Sequence, residues 1–435
     1  MLRFVFLLML LGVVLVKSYR RPAIALGALL ASYALEQWAQ SHIPYFARTS
    51  AAMNYLIGVV VLFALACTVV RRPSVVRMFP AVGWWLLGLY AWSFCTVAWA
   101  PALEQSISVW QKSLPYLLLW AIAAPLLLST QSDLRDMIWS LVLVGTVALV
   151  LLMVDADWEG RYVFVAGPSA TSVRQNPLAV ASLGGMVAVA GLLLSVGERW
   201  SRRVVLLGAA ALGLAATARS GSRGQFLAAV ASSAVVLPMT LPRRRSLRGL
   251  RVVLALAFLG AAAYWAFTEY ATGPRWELGQ MDLVVRQTRG DMSKALLGIW
   301  ADSSWFHLIA GLGSSSSFHL IGFYPHVVPI EVLGEEGLIG ATIYLGLIAA
   351  IILTTLRIRR LSATISSRLP TETAVIVGLV LFAGALTLKQ GSLLGTLQFP
   401  FFVMLLGGME RVLKGDASRA RRLRTVGTTM PRATR

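Results

Sequence analysis

Charged side chains make up only 13% of the 435 residues, acids number 19 against 39 Lys and Arg, and there are two cysteines and four histidines. A soluble domain carries about 25% charged and about 45–50% apolar residues, so 57% apolar content with so little charge excludes a water-soluble globule. Cys67 and Cys95 both fall in apolar runs, where a thiol behaves as a small hydrophobe. Neither a disulfide framework nor a cysteine-based metal site is expected. Walker-type glycine loops, His-Glu-x-x-His and Gly-x-Ser-x-Gly do not occur, which removes the common nucleotide, zinc-protease and serine-hydrolase signatures. The first apolar run, Leu2 to Val16, leads into Lys17, Ser18, Tyr19, Arg20 and Arg21 rather than a small-residue cleavage site, so it is expected to stay in the mature chain.

What the sequence has in abundance is apolar length. Runs near 2–16, 22–35, 52–70, 80–98, 107–128, 136–154, 178–196, 203–217, 225–241, 250–268, 333–356, 371–388 and 398–411 approach the about 20 residues that cross about 30 Å of hydrocarbon. The first two are short, so the expected fold is an all-α polytopic membrane protein of 12–13 transmembrane helices. The formal charge of +20 would suggest nucleic acid in a soluble protein, but here apolar runs separate the basic clusters, as in loops that fix orientation. No nucleic-acid partner is expected. Assigning successive loops to alternate sides puts 27 Lys or Arg on one side and ten on the other, and the richer side is expected to be cytoplasmic. Thirteen crossings place the N-terminus outside; twelve require residues 2–35 to cross once. The units expected are an N-terminal bundle (1–154), central helices with external Arg-containing loops (155–268), a large periplasmic loop (269–331), C-terminal helices (332–413) and a disordered basic cytoplasmic tail (414–435) facing anionic lipid.

The chemistry concentrates outside. His42, His307, His319 and His326 all fall on the outer face, three of them in the long loop, which is expected to fold into helices, notably over 282–300. Arginine is disfavoured there by the positive-inside rule and is costly near a membrane unless partnered. Guanidinium binds phosphate in a bidentate, permanently charged way, so a phosphate or diphosphate ligand at the outer surface accounts for these arginines. The plainer alternative pairs single arginines with Asp282, Asp291, Glu277 or Asp302, or with lipid phosphates. Arg219 and Arg223 flank Ser220-Gly221-Ser222 four residues apart, so a helical turn would put both on one face. Arg286 and Arg289, three apart, can share a face likewise. In Tyr324-Pro325-His326-Val327-Val328-Pro329 the prolines restrict the backbone around a histidine entering a span, and Glu331 and Glu335 follow four apart, close enough to orient an imidazole or one another. Such a histidine suits proton removal from a hydroxyl. Gly311-Leu312-Gly313 with Ser314 to Ser317 reads as a flexible linker, and His307, His319 and His326 match no standard metal-ligand spacing.

In this order these elements resemble the O-antigen ligase and polymerase superfamily of polytopic inner-membrane glycosyltransferases. Ser222-Arg223-Gly224 follows a span end, then come Arg286/Arg289 with Ala295-Leu296 and Trp300, then Gly311-Leu312-Gly313. Tyr324-Pro325-His326 with Glu331 and Glu335-Glu336-Gly337-Leu338-Ile339-Gly340 closes the series. Arg161 and Arg174-Gln175-Asn176-Pro177 resemble the family's Asn-Pro segment before a span. The likeness covers about 160–345; Val327 stands where many relatives carry asparagine. It implies a GT-C-like fold in the bacterial inner membrane and transfer of a glycan from undecaprenyl diphosphate at the periplasmic face, without metal, cofactor or nucleotide sugar. It implies His326 as catalytic residue, Arg223 with Arg286 or Arg289 and Arg219 on the diphosphate, and Arg161, Arg174, Asn176 and Tyr324 as candidate substrate-binding residues. The ligase reading, favoured here, has a lipid A-core sugar as acceptor; the polymerase reading has a second lipid-linked repeat. A transporter or flippase would place ionisable groups near mid-membrane in both halves; Lys112 is the main candidate for one, and no internal repeat accompanies it.

Overall fold

The computed structural model describes residues 2–49, 51–71, 79–155, 158–159, 162–165, 173–174, 177–240, 282–365, 370–395 and 398–428, with scattered positions between 253 and 269. The chain is an all-α polytopic bundle. Among the described residues, seven helices are long and apolar enough to cross a membrane. Most of the 250–268 span, Arg161, Asn176 and the last seven residues lie outside the described residues.

The first two apolar runs form two separate helices, α1 (Leu2–Arg20) and α2 (Ile24–His42). Each has 19 residues, enough for about 28 Å of rise. The second extends seven residues beyond the apolar run because its last turns carry Glu36, Gln37 and Gln40, which are buried in the bundle and not exposed to solvent. After the short α3 (Pro44–Arg48) come α4 (Ala52–Arg71), α5 (Ala81–Thr96), α6 (Leu103–Leu127) and α7 (Gln131–Val154). Three short antiparallel strands, β1 (Trp158–Glu159), β2 (Tyr162–Val165) and β3 (Val173–Arg174), lie in the next loop. The bundle resumes with α8 (Pro177–Ser195), α9 (Trp200–Arg219) and α10 (Arg223–Thr240). Helices α11 (Asp282–Ala301), α12 (Trp305–Ala310) and α13 (Ser316–Ile321) lie in the long loop, with α11 covering the segment expected to be helical. The chain closes with α14 (Val328–Ile365), α15 (Thr371–Thr387) and α16 (Gln398–Thr428).

Helix α16 corrects one expectation, since the basic tail continues the membrane helix to Thr428 instead of leaving it as coil. Arg, Ala, Leu and Lys are strong helix formers, and a helix already nucleated by packing extends into them at little cost. Elsewhere small residues set the spacing. A side chain at Gly184 would meet the Gly213 carbonyl at 2.5 Å, and one at Gly213 would meet that of Gly184. Such mutual approach is what holds helices together where lipid supplies no hydrophobic drive.

Ion pairs mark the two ends of the bundle. Arg21 pairs with Asp136 at 3.0 Å and Lys414 with Glu410 at 2.7 Å at the end where α1 finishes and α7 begins. At the opposite end, here called the histidine end, Asp155 beyond α7 receives Arg3 and Trp38 on its carboxylate, while its carbonyl meets His42 at 2.8 Å. Burial raises the Asp155 carboxyl, but the hydrogen bonds from Arg3 and Trp38 and the neighbouring His42 outweigh it, leaving it below its ordinary range. A depressed acid stabilises the fold above its unfolded pKa, about 3.9, and that contribution vanishes as pH falls through the lower folded value. Detergent-solubilised wild type is therefore expected to lose melting temperature more steeply below about pH 4 than Asp155→Asn. Parallel profiles would remove Asp155 as the cause.

Candidate functional site at the histidine end

Helix α14 is broken near its start. Gly337 has φ 68° and ψ −166°, a conformation open in practice only to glycine, and the break frees carbonyls inside the bundle. Each finds a donor. Leu312 N–H donates to Gly334 O and Gly313 N–H to Glu335 O, both at 2.9 Å, while Trp92 Nε1 donates to Glu336 O at 2.8 Å. Irregular backbone at membrane depth is tolerated when it is satisfied by protein in this way. The Gly311–Ser317 segment is thus a buried, packed loop and not the flexible linker expected: Leu312 is 8% exposed and Ser314 through Ser317 are 3% or less. Gly311 has φ 90°, and a Cβ there would collide with the Glu335 carbonyl. Gly311→Ala is expected to lose about 1–3 kcal/mol from backbone conformation alone, read as lower melting temperature and yield; an unchanged melt would show that the loop yields freely.

Three carboxylates on α14 hold neighbouring chain in place. Glu335 accepts from Ser315 N at 2.7 Å and Ser317 N at 2.9 Å, using both its oxygens. Glu336 accepts from Ser93 Oγ at 2.7 Å, and Glu331 from Leu393 N at 3.1 Å. The pair expected to orient an imidazole therefore has backbone amides as described partners, because a carboxylate buried at 2% exposure gains most from donors that cannot turn away. Trp110 Nε1 and Ser106 Oγ fix Ser314 from the α6 side.

His326 stands two residues before α14, half-buried, with φ 58°. A non-glycine residue in the left-handed region is uncommon and is held there by its surroundings; here Pro325 precedes it and the first turn of α14, containing Pro329, follows. Tyr324 packs on Phe318 with ring centroids 5.6 Å apart. Burial, then the nearby Glu335 and Glu331, push its hydroxyl up to about 12, so it is a proton donor at any physiological pH.

The arginine turn folds differently from the expectation of one shared helical face. Gly221 adopts φ 66° and reverses the chain, so Arg219 ends α9 while Arg223 begins α10. The left-handed glycine interrupts the helical repeat on which four-residue spacing depends. Arg219 lies over the Trp158 ring at 5.5 Å. Arg223 has its Nε and Nη2 buried, and next to it Lys389 runs across Gly224, whose added Cβ would sit 2.5 Å from the lysine Nζ. Lys389 is one of the outer cations in the charge pattern, with no motif around it; only the fold brings it to Arg223.

The loop after α15 links these parts. Lys389 lies against Gly224, Leu393 N donates to Glu331, and Leu393 O accepts from Tyr90 Oη at 3.1 Å. The arginine turn and the histidine hairpin are thereby tied to one short segment. Arg286 and Arg289 are placed by backbone alone, on α11, and their side chains lie outside the described residues, as does that of Arg174 on β3. Leu296 seats α11 against Gly334, so the two arginine positions lie about 10–15 Å along the helix axis from that contact. Among the described residues no cluster of three or more metal-ligating side chains occurs; His307 instead contacts Ser304 Oγ at 3.2 Å.

No protein-family model matches this chain, and no curated protein matches it.

Proposed function

We propose that the chain is an O-antigen ligase: a GT-C-like glycosyltransferase of the bacterial inner membrane that moves a glycan from undecaprenyl diphosphate to a lipid A-core hydroxyl at the periplasmic face. The observation that carries this reading is that the loop from Lys389 to Leu393 meets both the first turn of α14, just beyond the proline-bracketed His326, and Gly224, next to Arg223. The side of the membrane rests on charge, since the histidine end coincides with the loops poor in Lys and Arg.

The reaction assigned to this site is inverting displacement. The acceptor oxygen attacks the anomeric carbon and its proton passes to His326. The anomeric carbon–oxygen bond breaks, and its electron pair leaves with the lipid diphosphate. Arg223, with Arg286 or Arg289, stabilises the charge growing on that leaving group, as preorganised cations do in a site shielded from water. Arg219 belongs at the edge of this group through its place beside Trp158, and the resemblance assigns Arg161, Arg174, Asn176 and Tyr324 to substrate binding. No step in this scheme calls for a metal. Transfer in vesicles containing lipid-linked glycan and purified lipid A core is expected to proceed unchanged with excess chelator. Loss of product on chelation would sink the metal-independent scheme, and product formed only when a second lipid-linked repeat is supplied would convert the ligase into a polymerase. Substrate accumulation without covalent product would replace transfer with transport.

A further inference from the structure

A cavity of about 520 Å³ lies at the centre of the bundle beneath the Lys389–Gly395 loop. Helices α2, α4, α6, α16, α15 and α8 pack successively around it and close the ring. Its size falls in the range of about 300–1,000 Å³ used by small-molecule sites. None of its lining side chains is charged, yet Asn54, Tyr116, Ser182, Gln225, Gln390 and Gln398 all face it amid aliphatic neighbours.

Two of the amides are held in set orientations. Gln225, 0% exposed, donates Nε2 to Leu178 O at 3.0 Å, and its Oε1 is buried with no hydrogen-bond partner. Ser182 Oγ donates to Gln398 Oε1 at 2.7 Å, which leaves that amide's nitrogen as the free donor. Asn54 lines the wall from α4. An unmet buried acceptor costs free energy unless a ligand satisfies it. The wall thus offers an acceptor at Gln225 and a donor at Gln398 without charge, which matches hydroxyl and acetamido groups, each of which can both donate and accept. An alkyl chain would leave these amides unmet, and an ion would find no counter-charge.

The part of the cavity lined by Gln225 and Gln390 adjoins the cationic corner, since Gln225 follows Arg223 by two residues and Gln390 follows Lys389 directly. The geometry points to this cavity as a sugar-binding subsite that receives the neutral glycosyl unit attached to a lipid diphosphate seated on Arg223 and Lys389. The inference rests on the lipid-diphosphate reading above and adds to it which part of the donor the protein recognises.

The test compares two probes on the full-length protein in nanodiscs: a short-chain polyprenyl diphosphate, and the same lipid carrying one N-acetylhexosamine. Wild type is expected to bind the glycosylated probe about tenfold tighter, the yield of one or two well-placed hydrogen bonds. Gln225→Leu and Asn54→Leu, chosen on different helices so that one misfolded variant does not decide the matter, are each expected to reduce that preference to about threefold or less while the bare probe binds as before. Melting temperatures certify the fold. A preference preserved in a folded variant of each residue, or competition for the cavity by phosphatidylglycerol as strong as by the sugar lipid, overturns the subsite. Arg223→Gln serves as the separate arm: unchanged affinity for both probes removes the diphosphate reading, and a wild type that binds neither probe removes both.

Discussion

Replacing His326 by alanine is expected to lower glycan transfer by about 10²–10⁴-fold, the usual contribution of a positioned general base. The left-handed backbone at this residue, φ 58°, supplies a sharper control than alanine alone. Asparagine tolerates that region far better than most residues, so His326→Asn keeps the hairpin conformation while removing the imidazole. Both variants should be inactive, and the asparagine variant should melt within a degree or two of wild type. Product formed at the wild-type rate by well-folded His326→Asn would assign the histidine a purely structural part. Activity lost in alanine and retained in asparagine would make the backbone turn, and not the ring, the feature that matters.

The second large effect is expected at the arginine turn. Arg223→Gln should reduce kcat/KM by about 10²–10³-fold, comparable to removing one preorganised stabiliser of transition-state charge. Arg223→Lys keeps the charge but loses the planar fork, so it should recover only part of that loss. Because the group both seats the diphosphate and meets the charge that develops as it departs, KM should rise and kcat should fall further. A rise in KM with kcat intact would move Arg223 from the transition state to ground-state binding, and full activity in Arg223→Gln would dismiss it from the site. Lys389→Met tests the neighbour that the fold brings across Gly224. A smaller loss, about tenfold, is expected from one exposed cation, since solvent screens it more than the partly buried Arg223.

Part of the candidate site is legible in the sequence. His326 between prolines and the arginines on the charge-poor side stand out through rules that act locally: proline fixes φ, and guanidinium at an outer surface calls for an anion. Glu331 and Glu335 stand out too, as groups able to orient an imidazole or one another; the partners described for them are backbone amides. Their spacing of four identifies a shared helical face and is silent on what faces it; Ser315, Ser317 and Leu393, 18 to 62 residues away, take up those oxygens. The serine loop looks flexible for the same reason, because glycine and serine in sequence read as a linker until their amides find a buried carboxylate. Arg219 and Arg223 are expected on one helical face, and the left-handed Gly221 puts them on two helices. Lys389 carries no local signal at all.

The amino-acid order by itself determined that this is a membrane bundle, because burying apolar runs of about 20 residues in hydrocarbon is a local matter of length and composition. The uneven placement of Lys and Arg along it likewise sets a basic side apart from a side poor in positive charge. Tertiary packing alone decided where α14 breaks usefully, which amides receive its carboxylates, and that Arg223, Lys389 and Leu393 converge at one end. Those outcomes depend on contacts between residues hundreds of positions apart, such as Tyr90 with Leu393 and Trp92 with Glu336, and hydrogen-bond satisfaction in a water-free interior selects them only once every helix is in place.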